Sequence, residues 1–371
     1  MIIGIPKERK PEEHRVALTP GGAEILSAAG HKLLVETGAG LGSEFTDDDY
    51  RQYGASIVEK PETIFAQCEM VLHVKEPTPE ECSLLRSGQI VFTYLHLAAN
   101  AALAKKLIAK DIIAIAYETI QTEDKTLPLL TPMSEVAGRM AIQQGAKFLE
   151  MAQGGNGVLL GGVPGVDPGT VIVLGGGVAG TNAAKSACGL GANVYVFDKN
   201  LDRLRYLSDV MPANCTPLMY KPATLRRLLP QADVIVGAVL LAGARAPRLV
   251  SRDMLALIKK GAVMVDLSID QGGCFETSAP TTHRKPTFVV DGVIHYCVAN
   301  MPGAVAKTST LALTNATLPY VQNIADLGWR EAARQHSDIA KGLNIVKGNV
   351  CHPGVAEAIE LPCVDLSRLL A

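Results

Sequence analysis

Residues 170–200 read TVIVLGGGVAGTNAAKSACGLGANVYVFDKN, and this stretch decides the fold. An apolar strand leads into Gly175, Gly177 and Gly180, which stand in GxGxxG spacing at the start of a small-residue helix. A second strand follows and ends at Asp198. Such glycines allow a tight turn, close approach of the backbone to a pyrophosphate and close helix–strand packing. The order predicts a Rossmann-type βαβ unit that binds a dinucleotide at a helix N-terminus. A glycine turn kept for packing alone is the alternative.

Asp198 lies where a carboxylate binds the adenosine ribose hydroxyls. Its charge would repel a 2′-phosphate, so the sequence favours NAD over NADP as the cofactor. Lys199 and Arg203 follow closely and weaken that inference, because either could neutralise the charge. A solvated acid at the end of a strand is the alternative interpretation of Asp198.

Short apolar runs that alternate with helical patterns extend in both directions from this stretch. Such alternation predicts βα units and parallel sheets. The predicted strands before it are Ile2–Ile5, Lys32–Glu36, Met70–Lys75, Ile90–Leu95 and Ile112–Tyr117. The predicted strands from it onward are Thr170–Leu174, Asn193–Phe197, Val234–Ala238, Ala262–Leu267 and Ile294–Val298. We therefore expect an α/β protein with two Rossmann-like parallel-sheet domains.

Two long helical patterns connect the two series. One begins at Thr131-Pro132 and ends near Gly154-Gly155, and the other covers about Lys307–Arg334 with a bend expected at Pro319. We expect residues 131–306 to form the NAD-binding domain, and residues 1–130 plus 307–371 to form a discontinuous substrate (catalytic) domain. A shorter helix is predicted from Thr19-Pro20 to Ala29, with Thr19 as its N-cap.

Composition excludes several classes of protein. The chain has 371 residues, 48% of them hydrophobic, and a formal net charge of −2, which does not suggest a nucleic-acid-binding protein. The first residues have no apolar stretch typical of a signal peptide, and the most apolar region is interrupted by Gly, Pro and Asp167. The eight cysteines contain no CxxC pair. We expect a cytoplasmic protein with reduced thiols and no membrane segment.

Polar side chains follow the predicted strands of the first domain, where ligands bind in open α/β sheets. They are Arg15, Lys75, Tyr94, His96 and Glu118. Arginine can hold a carboxylate through two parallel hydrogen bonds and lysine acts as a point charge, so this set suits a small carboxylate. Taken singly, an arginine or lysine is more often a solvated surface charge, and His96 is equally well explained as a core histidine. In the second domain Asp266, Asp270 and Asn300 stand at or beyond strand ends, and we expect a catalytic cleft between facing strand ends.

Several long segments resemble the alanine dehydrogenase family, which belongs to one superfamily with the first domain of proton-pumping transhydrogenases. The similarity covers nearly the whole chain and is weakest from Gln335 onward. The segments are GIPKERKPEEHRVALTP, HVKEP, TYLHLAA, AYETIQ, PLLTPMSEVAGRMA, GGVPGV, GGGVAG, DLSIDQGGCFE, CVANMPGAV and TSTLALTNATLPY.

This resemblance implies reversible, NAD-dependent oxidative deamination of L-alanine to pyruvate and ammonium. It implies that Arg15 and Lys75 bind the substrate carboxylate, that Met133 lies near the substrate methyl, and that His96 and Asp270 are the acid/base pair. Tyr94 and Asn300 are further expected substrate contacts. The expected cofactor contacts are Ser134, Gly175, Gly177, Val178, Ala179, Gly180, Asp198, Arg203, Val239, Leu240, Leu267, Ser268, Ile269, Asp270, Val298, Ala299, Asn300 and Met301.

The chain departs from the family pattern at three positions. Tyr220 stands where many members have serine, which affects one expected adenosine contact. Asn323 and Leu327 stand where some members carry a glutamate–histidine metal pair, so we expect no metal. A homohexamer built as a trimer of dimers is expected from the resemblance and from the apolar positions of the second long helix. The rival interpretations are a transhydrogenase hydride-carrier domain and a non-catalytic dinucleotide-binding regulator. Other small 2-amino acids, such as 2-aminobutyrate or serine, are possible minor substrates.

Overall fold

The computed structural model describes residues 1–239 and 246–370. The strands in these residues are β1 (Ile2–Ile5), β2 (Lys32–Glu36), β3 (Ser56–Val58), β4 (Met70–Leu72), β5 (Ile90–Thr93), β6 (Ile113–Ala116), β7 (Thr170–Leu174), β8 (Asn193–Asp198), β9 (Cys215–Met219), β10 (Val234–Gly237), β11 (Val263–Asp266), β12 (Thr287–Val290), β13 (Val293–Tyr296), β14 (Leu343–Val346) and β15 (Asn349–Val350).

The helices in the same residues are α1 (Pro20–Ala28), α2 (Asp47–Gln52), α3 (Pro61–Gln67), α4 (Pro79–Leu84), α5 (Ala101–Ala109), α6 (Thr131–Phe148), α7 (Val178–Gly189), α8 (Leu201–Val210), α9 (Pro222–Leu228), α10 (Arg252–Leu255), α11 (Ala306–Gln335), α12 (Ser337–Gly342), α13 (Pro353–Ala358) and α14 (Ser367–Leu370). Short 3-10 turns, such as Ile269–Gln271, connect several of these elements.

The chain divides into two compact units, each with its own sheet. Unit 1 comprises Met1–Met133 and Gly303–Ala371, and unit 2 comprises Ser134–Pro302. The sheet of unit 1 has the strand order β15-β14-β6-β5-β4-β1-β2-β3, and the sheet of unit 2 has the order β12-β13-β11-β10-β7-β8-β9. The central pairs are parallel, and β12, β14 and β15 add antiparallel pairing at the sheet edges. The α/β class with two parallel-dominated sheets is confirmed.

Buried apolar strands position both sites. Every residue of β5, β6, β10 and β11 is buried, as expected for central parallel strands that are covered on both faces. In each sheet the strand order reverses next to the first strand of the series, between β1 and β4 in unit 1 and between β7 and β10 in unit 2. Ligands in open α/β sheets bind at such switch points, beyond the carboxyl ends of the strands.

The start of α1 is as predicted. Thr19 is extended and its side chain accepts a hydrogen bond from the Gly22 N–H at 3.1 Å, while Pro20 takes the first helical position. The predicted end of α6 near Gly154 was wrong. The α-helix ends at Phe148, Glu150 is extended, and a separate 3-10 turn covers Met151–Gln153.

The long helix α11 breaks at a different residue from the one predicted. Helical backbone angles continue past Pro319, and the break is at Gly328, with φ 74° and ψ 156°. This conformation is accessible to glycine because it has no Cβ. Pro319 only removes one N–H donor.

The remaining differences concern short or edge strands. The predicted strand Met70–Lys75 ends at Leu72, and Ile90–Leu95 ends at Thr93, so Lys75 and His96 each lie three residues beyond a strand. Strands β3, β9, β12, β14 and β15 were not predicted, because their short runs are only partly buried or lie in the C-terminal tail. That tail adds β14 to the sheet beside β6 in antiparallel register.

Candidate active site

The glycine turn of unit 2 lies between β7 and α7, at the switch point. Gly175 has φ +104°, and a Cβ there would lie 2.4 Å from the Ala238 carbonyl oxygen. A Cβ on Gly180 would lie 1.8 Å from the Gly175 carbonyl oxygen, whereas a Cβ on Gly177 would meet no atom within 4 Å. Gly175 and Gly180 are therefore required by the protein's own packing. Gly177, at the N-cap of α7, leaves open space where a phosphate can approach.

Asp198, at the end of β8, holds this turn from one side. Its Oδ2 accepts the Gly176 N–H at 2.8 Å and its Oδ1 accepts the Asn200 N–H at 2.8 Å. Arg203 holds the turn from α8, because its Nε donates to the Gly176 carbonyl oxygen at 2.5 Å and its Nη2 donates to the Thr181 hydroxyl at 2.8 Å. Asp198 and Arg203 thus both form hydrogen bonds with the backbone of Gly176. The sequence prediction did not foresee this structural role for Arg203.

The loop after β11 carries Asp270. Asp266 is fully buried, and its carboxylate accepts the Ser268 N–H and the Cys274 N–H, both at 2.9 Å. The Ser268 hydroxyl donates to the Val239 carbonyl oxygen at 2.7 Å. Asp270 itself is exposed within a 3-10 turn. Asp266 therefore anchors the loop and is not a pocket residue, whereas Asp270 is presented to solvent.

The segment after β13 provides the last predicted residues of unit 2. Asn300 has left-handed backbone angles with φ 58°, and its carbonyl oxygen accepts from His283 Nε2 at 3.2 Å. Met301 and Val298 are buried, and Ala299 is half-buried. Of the other predicted cofactor residues, Ile269 is buried, Val178 is exposed, and Ser134, Ala179, Val239 and Leu267 are half-buried. Leu240 lies outside the described residues.

In unit 1, Arg15 is paired within the protein. Glu13 accepts from Arg15 Nε at 2.6 Å and from Nη2 at 2.5 Å, and both side chains are buried. Arg15 Nη1 lies 3.0 Å from the Met133 sulfur, so the structure brings these two predicted residues together. Burial alone would lower the pKa of Arg15, but the hydrogen bond and charge of Glu13 raise it above its ordinary value. The guanidinium is therefore a permanent cation.

Tyr94 and His96 stack in the loop after β5. Their ring centroids are 5.9 Å apart with an interplanar angle of 9°. The Tyr94 hydroxyl donates to the Leu129 carbonyl oxygen, and burial raises the pKa of Tyr94 well above its ordinary value. Tyr94 is therefore a neutral platform, whereas the His96 side chain is exposed and available for proton transfer.

Two glutamates hold the loops that carry Lys75 and His96. Glu8 is buried and accepts the Val74 N–H at 2.7 Å and the Lys75 N–H at 3.2 Å. Glu118 accepts the His96 N–H at 2.6 Å. The Thr93 hydroxyl donates to the Lys75 carbonyl oxygen at 3.0 Å. Sequence reasoning missed Glu8, and placed Glu118 at a strand end without a partner.

A buried histidine accompanies Glu8. His73 Nδ1 lies 3.0 Å from a Glu8 oxygen, and His73 Nε2 lies 3.8 Å from Glu81. Burial by itself lowers the pKa of His73, but the charge and hydrogen bond of Glu8 outweigh it, so the pKa is raised. The carboxylate of Glu8 therefore favours the protonated form of His73. Nothing local in the sequence links Glu8 to His73, which lies 65 residues away.

No metal site is found in the described ranges 1–239 and 246–370, where no group of three or more His, Cys, Asp or Glu side chains could hold an ion. Searched over the same ranges, no helix is both long enough and apolar enough to cross a membrane. A cleft of about 210 Å³ in unit 1 is lined by Lys10, Glu76, Pro77, Thr78, Pro79, Asn100, Ala102, Leu103 and Lys106. It borders the Lys75 loop through Glu76 but contains none of the predicted site residues.

Two family models match the chain. The N-terminal domain model of alanine dehydrogenase/PNT covers residues 4–137, and the C-terminal domain model of the same family covers residues 141–353. The second match extends past unit 2 into α11 and β14, which pack in unit 1.

Curated relatives match over the full length. The chain is 51% identical to an alanine dehydrogenase of Methanococcus maripaludis over 371 residues, which is 100% of both chains. It is 52% identical to an alanine dehydrogenase of Halomonas elongata, again over 100% of both chains. The alanine dehydrogenase of Staphylococcus haemolyticus is 52% identical, with 100% of this chain and 99% of the relative covered.

Solved structures match in the same way. An L-alanine dehydrogenase structure superposes with a TM-score of 0.94 at 49% identity, covering 97% of this chain and 99% of the other. A transhydrogenase from Sinorhizobium meliloti superposes with a TM-score of 0.81 at 25% identity, covering 95% and 99% of the two chains.

Proposed function

The chain belongs to the alanine dehydrogenase/PNT family, and from its site residues we propose that it catalyses the reversible, NAD-dependent oxidative deamination of L-alanine to pyruvate and ammonium. The family match, with relatives of about 51% identity over the full length, makes the chain a pyridine-nucleotide oxidoreductase. The observation that carries the finer proposal is the set of strand-end side chains in unit 1, which combines a permanent cation, a lysine and an exposed histidine.

The glycine turn fits a dinucleotide. The open space at Gly177 and the N–H groups at the start of α7 suit a pyrophosphate, and the Asp198 carboxylate suits ribose hydroxyls. We propose NAD as the cofactor, because a 2′-phosphate would meet the negative charge of Asp198. When bound, the nicotinamide exchanges a hydride with the substrate α carbon.

Arg15 and Lys75 are proposed to hold the substrate carboxylate. Glu13 accepts from two of the five N–H donors of Arg15 and fixes the guanidinium in one orientation. Lys75 adds a second positive charge from the next loop. Met133, against Arg15, is proposed to face the substrate methyl. Holding the substrate so that its α hydrogen faces the nicotinamide accounts for several kcal/mol of barrier, up to roughly 7.

His96 and Asp270 are proposed to move the protons. Loss of the α hydrogen as hydride leaves iminopyruvate, and water must then add to the imine carbon. One of the two residues accepts the proton of that water, and a proton is returned to the departing nitrogen. In reverse, His96 donates a hydrogen bond to the pyruvate carbonyl oxygen. Both side chains are exposed, so each is accessible to substrate and water.

A purified-protein assay tests this function. With pyruvate, ammonium and NADH, we expect NADH oxidation that depends on all three, and with L-alanine and NAD we expect the reverse. The second candidate function is hydride transfer between dinucleotides, favoured by the similarity to the transhydrogenase structure. Oxidation of NADH by a nicotinamide analogue without pyruvate or ammonium would support that candidate. Cofactor binding with neither reaction would support a regulator.

We also propose a homohexamer, a trimer of dimers. Fewer apolar side chains of α11 can contribute to a subunit interface than its sequence suggests, because Leu313, Val321 and Ile324 are buried within the protomer. Leu311 and Leu327 are exposed, at 42% and 39%. Light scattering on a size-exclusion column tests the assembly. A mass near 39.2 kDa at micromolar concentration would contradict it, and a dimer would support the interface but not the hexamer.

A further inference from the structure

Lys75 and His96 lie in two adjacent loops, and in each loop a glutamate carboxylate binds the backbone N–H groups. Each loop follows a buried strand, β4 or β5, and backbone hydrogen bonds still join the two loops, from the His73 N–H to the Phe92 carbonyl oxygen and from the Tyr94 N–H to the Val74 carbonyl oxygen. The N–H groups that then leave this ladder are those of Val74 and Lys75 in one loop and of Leu95 and His96 in the other. Buried backbone N–H groups that leave a ladder need another acceptor. In both loops the acceptor is a carboxylate from the segment that follows the neighbouring strand, Glu8 after β1 for the Lys75 loop and Glu118 after β6 for the His96 loop.

The two contacts have the same form. Glu8 receives the N–H groups of Val74 and Lys75, at 2.7 and 3.2 Å. Glu118 receives the N–H groups of Leu95 and His96, the latter at 2.6 Å. Each carboxylate therefore binds two successive peptide N–H groups, the second of which belongs to the functional residue itself.

The backbone of His96 makes this support necessary. His96 has left-handed angles, with φ 48° and ψ 38°, which a side chain with a Cβ adopts at an energetic cost. A charge-assisted hydrogen bond from its own N–H to Glu118 stabilises that conformation. The geometry points to Glu8 and Glu118 as positioning residues for the reaction, Glu8 acting through Lys75 and Glu118 through His96. This inference rests on the proposed roles of Lys75 and His96.

The oxygens are used differently, and the difference makes the inference testable. Glu8 uses Oε1 for the Val74 N–H and Oε2 for the Lys75 N–H, so a glutamine would turn an NH₂ group toward one donor. In the second loop the His96 N–H reaches Oε1 of Glu118 at 2.6 Å, and the Leu95 N–H lies 3.3 Å from Oε1 and 3.2 Å from Oε2. A glutamine at position 118 can therefore keep the short hydrogen bond from the His96 N–H, whereas an alanine keeps neither hydrogen bond.

We expect Glu8→Gln to raise the KM for pyruvate by about 10- to 100-fold with a smaller change in kcat, because the Lys75 ammonium is displaced. We expect Glu118→Ala to lower kcat by about 10- to 100-fold and to move the pH profile, because His96 is displaced. Glu118→Gln should recover most of that loss. The dissociation constant of NADH, measured by fluorescence, should stay within about twofold in all three variants, because the proposed cofactor site lies in unit 2. Urea unfolding shows whether unit 1 of each variant is folded.

Asp47→Asn is the matched control. Asp47 also accepts a backbone N–H from a strand-end loop of the same sheet, that of Gly38 at 2.8 Å, but this loop carries no proposed site residue. Its kinetic constants should equal those of the unmodified protein.

Lys75→Ala and His96→Ala, assayed alongside, distinguish a failure of the positioning inference from a failure of the proposed function. If they lose activity while folded Glu8→Gln and Glu118→Ala behave like Asp47→Asn, the positioning inference is wrong and the proposed function stands. If Lys75→Ala and His96→Ala are themselves normal, the proposed roles are wrong. Should Glu8→Gln not fold, the Glu118→Ala and Glu118→Gln pair decides, since equal kcat values in those two variants would overturn the inference.

Discussion

The two units use the same sheet topology at their switch points and fill those points in opposite ways. In unit 2 the point between β7 and β10 is kept open by glycines, with free space beside Gly177. In unit 1 the point between β1 and β4 is occupied by the buried pair of Glu8 and His73. The first arrangement leaves room for a pyrophosphate. The second fills the point with side chains and fixes the loop of Lys75. This difference supports the proposal of a cofactor site in unit 2 and a small-carboxylate site in unit 1.

The largest expected effect is a loss of catalytic rate without a loss of stability in either unit. His96→Ala and Asp270→Asn should each lower kcat by about 10²- to 10⁴-fold, because each removes a member of the proposed acid/base pair. Neither side chain is buried, so the free energy of unfolding should change little. Steady-state kinetics and urea unfolding measure the two quantities. A folded variant with the kcat of the unmodified protein would remove that residue from the acid/base pair.

The next largest effect comes from replacing the glycines at the switch point of unit 2. Gly180→Ala places a Cβ 1.8 Å from the Gly175 carbonyl oxygen, and should lower the free energy of unfolding by about 1 to 3 kcal/mol. Gly177→Ala meets no atom and has φ −67°, so it should leave stability unchanged. It should nevertheless weaken NADH binding, because the methyl group occupies the path of the pyrophosphate. Equal stability of the two variants, or normal NADH binding by Gly177→Ala, would contradict this division of roles.

The same contrast explains what the sequence could predict. The turn of unit 2 is encoded between Thr170 and Asp198, where strand, glycines, helix and acid follow one another, so a local pattern was sufficient. In unit 1 the contact between Glu8 and Lys75 joins residues 67 positions apart, and that between Glu118 and His96 joins residues 22 apart. Periodicity places such residues at strand ends. Which carboxylate reaches which loop depends on the lateral order of the strands, which one sequence does not contain.

Errors in the predicted elements have the same origin. The break of α11 at Gly328 depends on a backbone conformation that a helical pattern does not reveal, and Pro319 was the more conspicuous residue. Asp266 and Asp270 look alike in the sequence, yet Asp266 is fully buried and accepts four hydrogen bonds from the segment that follows it, whereas Asp270 is exposed. Burial separates them, and burial follows from the packed sheet.

A smaller effect sharpens the account of Asp198. Asp198→Ala removes the charge that disfavours a 2′-phosphate, so the ratio of kcat/KM for NADPH to that for NADH should rise, by about tenfold for each 1.4 kcal/mol of lost discrimination. It also removes an acceptor for the Gly176 N–H, so binding of both cofactors should weaken. Asp202→Ala, at an exposed position on α8, is the control and should leave the ratio unchanged. An unchanged ratio in Asp198→Ala would take Asp198 out of cofactor selection.

The smallest expected effect is the pH dependence of the free energy of unfolding, which we compare for one buried histidine of each unit. His73 lies against Glu8, and the net effect of burial and that carboxylate is a raised pKa. Its stabilising contribution is therefore complete below the unfolded value near 6.5 and is lost as pH rises through the folded pKa.

His295 has the opposite surroundings. Its Nδ1 donates to the Val293 carbonyl oxygen at 3.0 Å, its Nε2 accepts from the Thr277 hydroxyl at 2.7 Å, and burial lowers its pKa. Its contribution is present above about 6.5 and is lost as pH falls through the folded pKa.

Urea unfolding between about pH 5 and 9 should distinguish the two, with each effect near 1.4 kcal/mol for every unit by which the folded and unfolded pKa differ. His73→Asn should flatten the alkaline loss of stability, since asparagine can still donate to Glu8 but does not titrate, and should leave the acid side unchanged. His295→Asn should flatten the acid side alone. If His73→Asn flattened the acid side instead, His73 would be neutral in the native protein, and Glu8 would hold the Lys75 loop as an uncompensated buried anion.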